Sequence, residues 1–137
     1  MIDKDLAREL LKAAEDARGA SWCPYSSVSV GAALLTKSGK VYTGANIESA
    51  SYSPTVCAER VAIFRAVHEG EREFSAIAIV GGEASKAPTE PTYPCGVCRQ
   101  VMAEFASPDM TVIVSDGKTE IITTLGELLP NSFHLPR

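Results

Sequence analysis

The chain has 137 residues, 45% of them hydrophobic and 22% charged, which suits a single domain over 1–137 that buries a core without disulfide staples. A formal charge of −4 with no Lys/Arg cluster argues against a DNA or RNA partner held by its phosphates and for a small-molecule substrate. Met1 to Ala20 carries Asp3, Asp5, Glu9, Glu15 and Asp16 among its apolar positions, which fits neither a secretory signal nor a membrane span, so a cytoplasmic location without a membrane partner is expected.

Residues 4 to 18 place Leu6, Leu10, Ala13, Ala14 and Ala17 at helical spacing, with Gly19 as a stop. Val28 to Thr36 alternates as a strand, Lys37-Ser38-Gly39-Lys40 turns, and Val41 to Gly44 returns as a hairpin partner. Asn46 to Pro54 reads as a loop leading into a helix from about Thr55 to Glu69, closed by Gly70. Ala76 to Val80 is a short apolar strand, Gly81 to Tyr93 a polar loop, and Pro94 opens a second helix through about Ala106. Strands at Thr111 to Ser115 and Glu120 to Thr123 flank an Asp116-Gly117-Lys118 turn, and a short helix spans Leu125 to Leu129. Two successive strand–helix–strand units imply parallel neighbours with right-handed crossovers. The expected fold is α/β, a three-layer α/β/α sandwich with a mixed five-stranded sheet.

Chemistry concentrates at the starts of the two middle helices. Cys57-Ala58-Glu59 falls at one, Pro94-Cys95-Gly96-Val97-Cys98 at the other, and the positive end of a helix dipole favours thiolate over thiol. Three thiolates are one ligand short of a closed tetrahedral Zn²⁺ site, and Glu59 stands two residues from the first of them, so the pattern reads as a catalytic zinc centre. Three thiolates and Zn²⁺ sum to −1, which gives nearby cations a role, and Arg60 and Arg99 are placed for it. A structural zinc closed by Cys23, His68 or His134 is the competing reading, but it leaves Glu59 without a function. A redox Cys95/Cys98 pair leaves Cys57-Ala58-Glu59 unexplained. Cys23 itself reads as a partly buried spare thiol.

These residues, together with Tyr25-Ser26, Val30 to Leu34, Gly44 to Glu48, Ala50-Ser51-Tyr52, Arg60, Arg99-Gln100, Glu104-Phe105 and Leu128 to Phe133, resemble the small, homotetrameric-type cytidine deaminases over nearly the whole chain. The resemblance implies that Cys57, Cys95 and Cys98 bind zinc and that Glu59 moves protons among water, ring N3 and the departing ammonia. It also implies that the Ala58 N–H holds the pyrimidine O2, that Asn46 and Glu48 grip the ribose, and that Arg60 hydrogen-bonds the zinc-bound sulfurs. Tyr52 and Phe133 would approach a neighbouring subunit's site, which implies a homotetramer with shared sites, and the activity would be conversion of cytidine and 2′-deoxycytidine to the uridines in pyrimidine salvage.

One position departs from the pattern. The family usually places phenylalanine where this chain has Val28, and a valine gives up aromatic stacking on the base, about 0.5–1.5 kcal/mol beyond area burial. The roomier pocket motivates an alternative, a deaminase or hydrolase of 4-substituted pyrimidine nucleosides or of another amino-heterocycle, as in the similar blasticidin S deaminases. Two further rivals are an inactive zinc-stabilised scaffold, against which Glu59 argues, and an editor of nucleic-acid bases, which would need the basic groove and stacking aromatics that this chain lacks.

Overall fold

The computed structural model describes residues 2–137. Asp3 caps the first helix, α1 (Lys4–Ala17), by accepting the Leu6 N–H at 2.8 Å, and a single 3-10 turn (Arg18–Ala20) follows it. Then come β1 (Val28–Thr36), β2 (Val41–Ala45), α2 (Ala58–His68), β3 (Phe74–Glu83), α3 (Gly96–Phe105), β4 (Thr111–Ser115), β5 (Glu120–Thr124) and α4 (Leu125–Leu128). The strands form one mixed five-stranded sheet in the order β2-β1-β3-β4-β5. Among the described residues no helix is long and apolar enough to cross a membrane.

The period-two alternation of the strands sorts the core into two layers. Ala33, Ala76, Ala78 and Ile113 point to one face and pack under α1 through Ala7, Leu10 and Ala14. Ala32, Leu34, Ile77, Ile79, Val112 and Val114 point to the other and pack under α2, α3 and α4 through Ala62, Ile63, Met102 and Leu125. Each fully buried Ile or Leu contributes roughly 1.5–3 kcal/mol relative to exposure. The result is the α/β/α sandwich expected from sequence.

Two glycines set how closely the helices approach. A Cβ at Gly44 would lie 2.5 Å from Ala62 N and 2.6 Å from Ala58 O, so only glycine lets the start of α2 rest on β2. A Cβ at Gly31 would lie 1.8 Å from Ala14 O, the matching requirement under α1.

Four expectations are corrected. Among the strands of the described residues only β3 and β4 are parallel neighbours; in the first strand–helix–strand unit, β1 lies between β2 and β3 and is antiparallel to both. β3 continues through Gly81 and Gly82 to Glu83, pairing with Val28 to Val30, because bare glycine backbone lets Thr92 and Val30 crowd the strand. Helix α2 starts at Ala58, not Thr55, because Val56 is held extended by reciprocal 3.0 Å hydrogen bonds with Ile47. Helix α3 starts at Gly96, not Pro94, and Cys57 and Cys95 are therefore the residues just ahead of their helices, with only Cys98 inside a first turn.

Candidate metal centre and active site

Ile47 bridges Trp22 on one side and Val56 on the other, which draws Asn46 and Glu48 alongside the strand end that leads into Cys57. The starts of α2 and α3 converge beside it. Cys57 Sγ lies 3.8 Å from Cys95 Sγ, and Cys95 Sγ lies 3.6 Å from Cys98 Sγ, all three sulfurs falling within 4.8 Å of one another. Tetrahedral coordination at about 2.3 Å would set sulfurs about 3.8 Å apart, so the donor set and its spacing fit zinc.

The protonation of the thiols points the same way. A hydrogen bond from Cys98 holds Cys57 down, to about 5, with the Arg60 guanidinium assisting against burial; Cys98 is pushed up by sharing that hydrogen bond and by burial. Cys57 and Cys98 therefore share a proton that a bound divalent cation would displace. Arg60 Nη2 lies 3.4 Å from Cys57 Sγ, and its Nε is buried without a partner. Arg99 donates instead to Pro94 O and Leu128 O, each at 2.7 Å, which ties the start of α3 to α4. Among the described residues neither Cys23, His68 nor His134 joins the cluster, so no fourth protein ligand closes it.

Glu59 is 3% exposed at the start of α2. Burial, and secondarily the Cys57 thiolate, pushes its carboxyl up to about 7, where a group both accepts and releases protons near neutral pH. Ala58 is the first residue of α2, where a backbone N–H has no intrahelical acceptor and can serve a ligand carbonyl.

The residues expected to touch substrate are of two kinds. Asn46 is buried: its Oδ1 accepts from Val30 N–H at 2.8 Å and from the Ser21 hydroxyl at 2.6 Å, and its Nδ2 donates to Val28 O at 2.9 Å. Glu48 accepts from the N–H groups of Tyr25 and Ser26 and from the Ser26 hydroxyl, which hold its carboxyl below the usual range. Val28, Tyr52 and Phe133 are exposed, and Tyr52 stands edge-on to Tyr25 with ring centres 6.3 Å apart. Ser21 and the role of Ser26 escaped sequence reasoning; the Tyr25-Ser26 dipeptide carried part of the family resemblance, but nothing local marks either hydroxyl as a partner of residues 20 or more positions away.

Three cysteine sulfurs with a buried carboxylic acid beside them is the arrangement of the zinc deaminases, and the fold presents it at two helix starts on one face of a mixed sheet. Comparison narrows the class. Residues 3–115 match the family described as the cytidine and deoxycytidylate deaminase zinc-binding region, and the chain belongs to that family. It is 48% identical over 125 residues to a cytidine deaminase of Halalkalibacterium halodurans, covering 90% of this chain and 91% of that one. A crystal structure of cytidine deaminase from Burkholderia pseudomallei superposes with a TM-score of 0.84 at 43% identity, over 92% of this chain and 98% of the other. A blasticidin-S deaminase from Bacillus cereus is more distant, 36% identical over 105 residues and 74% of each chain.

Proposed function

We propose that the protein hydrolyses the exocyclic amine of cytidine and 2′-deoxycytidine, giving uridine and 2′-deoxyuridine with release of ammonia. The observation that carries this reading is the burial of Glu59 beside three thiols 3.6–3.8 Å apart in a chain close to named cytidine deaminases. Cys57, Cys95 and Cys98 would hold a zinc ion, which when bound would supply a Lewis acid that makes water a nucleophile at neutral pH. Glu59 would take one proton from that water and pass it to ring N3 as C4 is attacked, then carry the water's second proton from the new C4 hydroxyl to the amine as the C–N bond breaks, so one water is consumed for each ammonia released. The Ala58 N–H holds the pyrimidine O2, Asn46 and Glu48 hold the sugar, and Arg60 offsets the negative charge on Cys57.

The same reading assigns Val28 to the base, and Tyr52 and Phe133 to a neighbouring subunit's site in a homotetramer; their exposure on the single chain supports this. A single deaminase domain over 1–137, a cytoplasmic setting and a place in pyrimidine salvage complete the proposal. The stronger similarity to cytidine deaminases than to the blasticidin-S enzyme favours cytidine over another amino-heterocycle.

Ultraviolet-monitored turnover by purified zinc-loaded protein tests it. Rapid loss of cytidine absorbance supports the proposal, whereas slow cytidine turnover beside rapid turnover of an N4-substituted cytidine would move the assignment to 4-substituted substrates.

A further inference from the structure

Under the proposed function, Asn46 and Glu48 hold the sugar, and their hydrogen bonds can be counted. Asn46 Oδ1 has two lone pairs, both taken by the Val30 N–H and the Ser21 hydroxyl, and one of the two Nδ2 hydrogens is taken by Val28 O. One N–H remains. Glu48 Oε1 accepts from Tyr25 N–H at 3.0 Å and from Ser26 N–H at 3.2 Å, while Oε2 accepts from the Ser26 hydroxyl, leaving one acceptor position on Oε2. The pair thus offers one donor and one acceptor, which matches a hydroxyl, a group that accepts and donates at one oxygen.

We infer that Ser26 is the positioning residue for sugar recognition: its hydroxyl orients the Glu48 carboxylate and, by accepting the Val28 N–H at 3.0 Å, joins Glu48 to the same residue whose carbonyl holds Asn46. The connection runs Glu48, Ser26, Val28, Asn46, and it has no slack. Ser27, between Ser26 and Val28, adopts φ +59°, which few non-glycine residues do, and is pinned on both sides: its N–H donates to Cys23 O at 3.1 Å and its carbonyl accepts the Ala84 N–H at 2.8 Å. The turn therefore cannot shift to bring another donor to Oε2. Without the Ser26 hydroxyl, Glu48 keeps only the two N–H bonds to Oε1, and Oε2 loses the contact that fixes its direction. Ser26 touches none of Cys57, Cys95, Cys98 or Glu59 in this arrangement, so its effect falls on binding of the sugar.

The test compares wild-type and Ser26→Ala zinc-loaded enzyme on cytidine and on 2′,3′-dideoxycytidine, which lacks both ring hydroxyls. Ser26→Ala is expected to raise KM for cytidine about tenfold, the size of one lost bond to a charged group, with kcat within about twofold. The preference for cytidine over the dideoxynucleoside should shrink by the same factor, and Ser26→Ala should add less than about twofold to the loss already caused by Glu48→Ala. Equal losses on both nucleosides, or additive losses in the double variant, would overturn the inference and leave Ser26 a fold residue. Should Ser26→Ala fail to fold, Ser26→Cys keeps a weak donor in place and should give the same pattern at about threefold. If the wild-type enzyme turns over neither nucleoside, the functional reading fails by itself, before Ser26 is involved.

Discussion

Glu59 and Tyr52 lie on either side of Cys57 in the chain and in opposite surroundings: Glu59 is 3% exposed and Tyr52 is 72% exposed. The contrast extends to their groups. Cys98 is fully buried and Cys57 and Arg60 are half-buried, whereas Val28 and Phe133 are 43% and 68% exposed. A desolvated carboxyl and fixed sulfur spacing suit proton transfer, and one chain's α2, α3 and sheet bury Glu59 and set the sulfur spacing by themselves, with Cys95 alone of the three thiols exposed. Contacts to a nucleoside must open and close, and large apolar rings left in solvent mark surfaces that a ligand or another copy covers. Within a single chain the chemical half is finished, whereas Val28, Tyr52 and Phe133 stand in solvent.

The most damaging way to probe the finished half is Glu59→Gln. It should lower turnover by roughly 10²–10⁴-fold, the range for one general acid–base group, while zinc content measured by atomic spectroscopy stays at the wild-type level. Loss of zinc in this variant would mean that Glu59 holds the site together and does not act on protons. Next in size is Gly44→Ala, whose new Cβ meets backbone atoms of α2 that cannot move independently of Cys57; unfolding stability should fall by about 2–3 kcal/mol, with weaker zinc retention. Gly31→Ala meets the equivalent obstacle under α1 and should cost comparable stability, yet leave zinc per folded chain unchanged. A matching loss of zinc in both would erase the distinction between the two faces. Smallest are Tyr52→Ala and Phe133→Ala, which should raise KM for cytidine by up to about tenfold, as one lost aromatic contact would, without lowering the unfolding temperature. A drop in stability instead would show that these rings serve the fold.

The same contrast governs what could be read from the chain. Strand β1 and strand β4 were legible to the residue because their alternation is local and both faces are buried. The thiols were legible because Cys57-Ala58-Glu59 and Pro94-Cys95-Gly96-Val97-Cys98 state their chemistry in a few adjacent letters. Long-range pairing was not legible. Val56 looks like a helix residue until Ile47 holds it extended, and Gly81-Gly82 looks like a loop until Ser29 and Val30 pair with it. The exposed turn of Tyr25 to Ser27 gave only its family resemblance, since its hydrogen bonds run to Glu48, which the fold alone brings within reach.

The proposed function makes cytidine turnover depend on one zinc per chain held by Cys57, Cys95 and Cys98. The direct measurement is to strip the metal with a chelator, add zinc back in steps, and follow bound zinc and cytidine absorbance together. Turnover rising in proportion to bound zinc and levelling at one equivalent per chain is the predicted result; turnover that persists in the stripped protein, or a full equivalent of zinc bound without turnover, would contradict it.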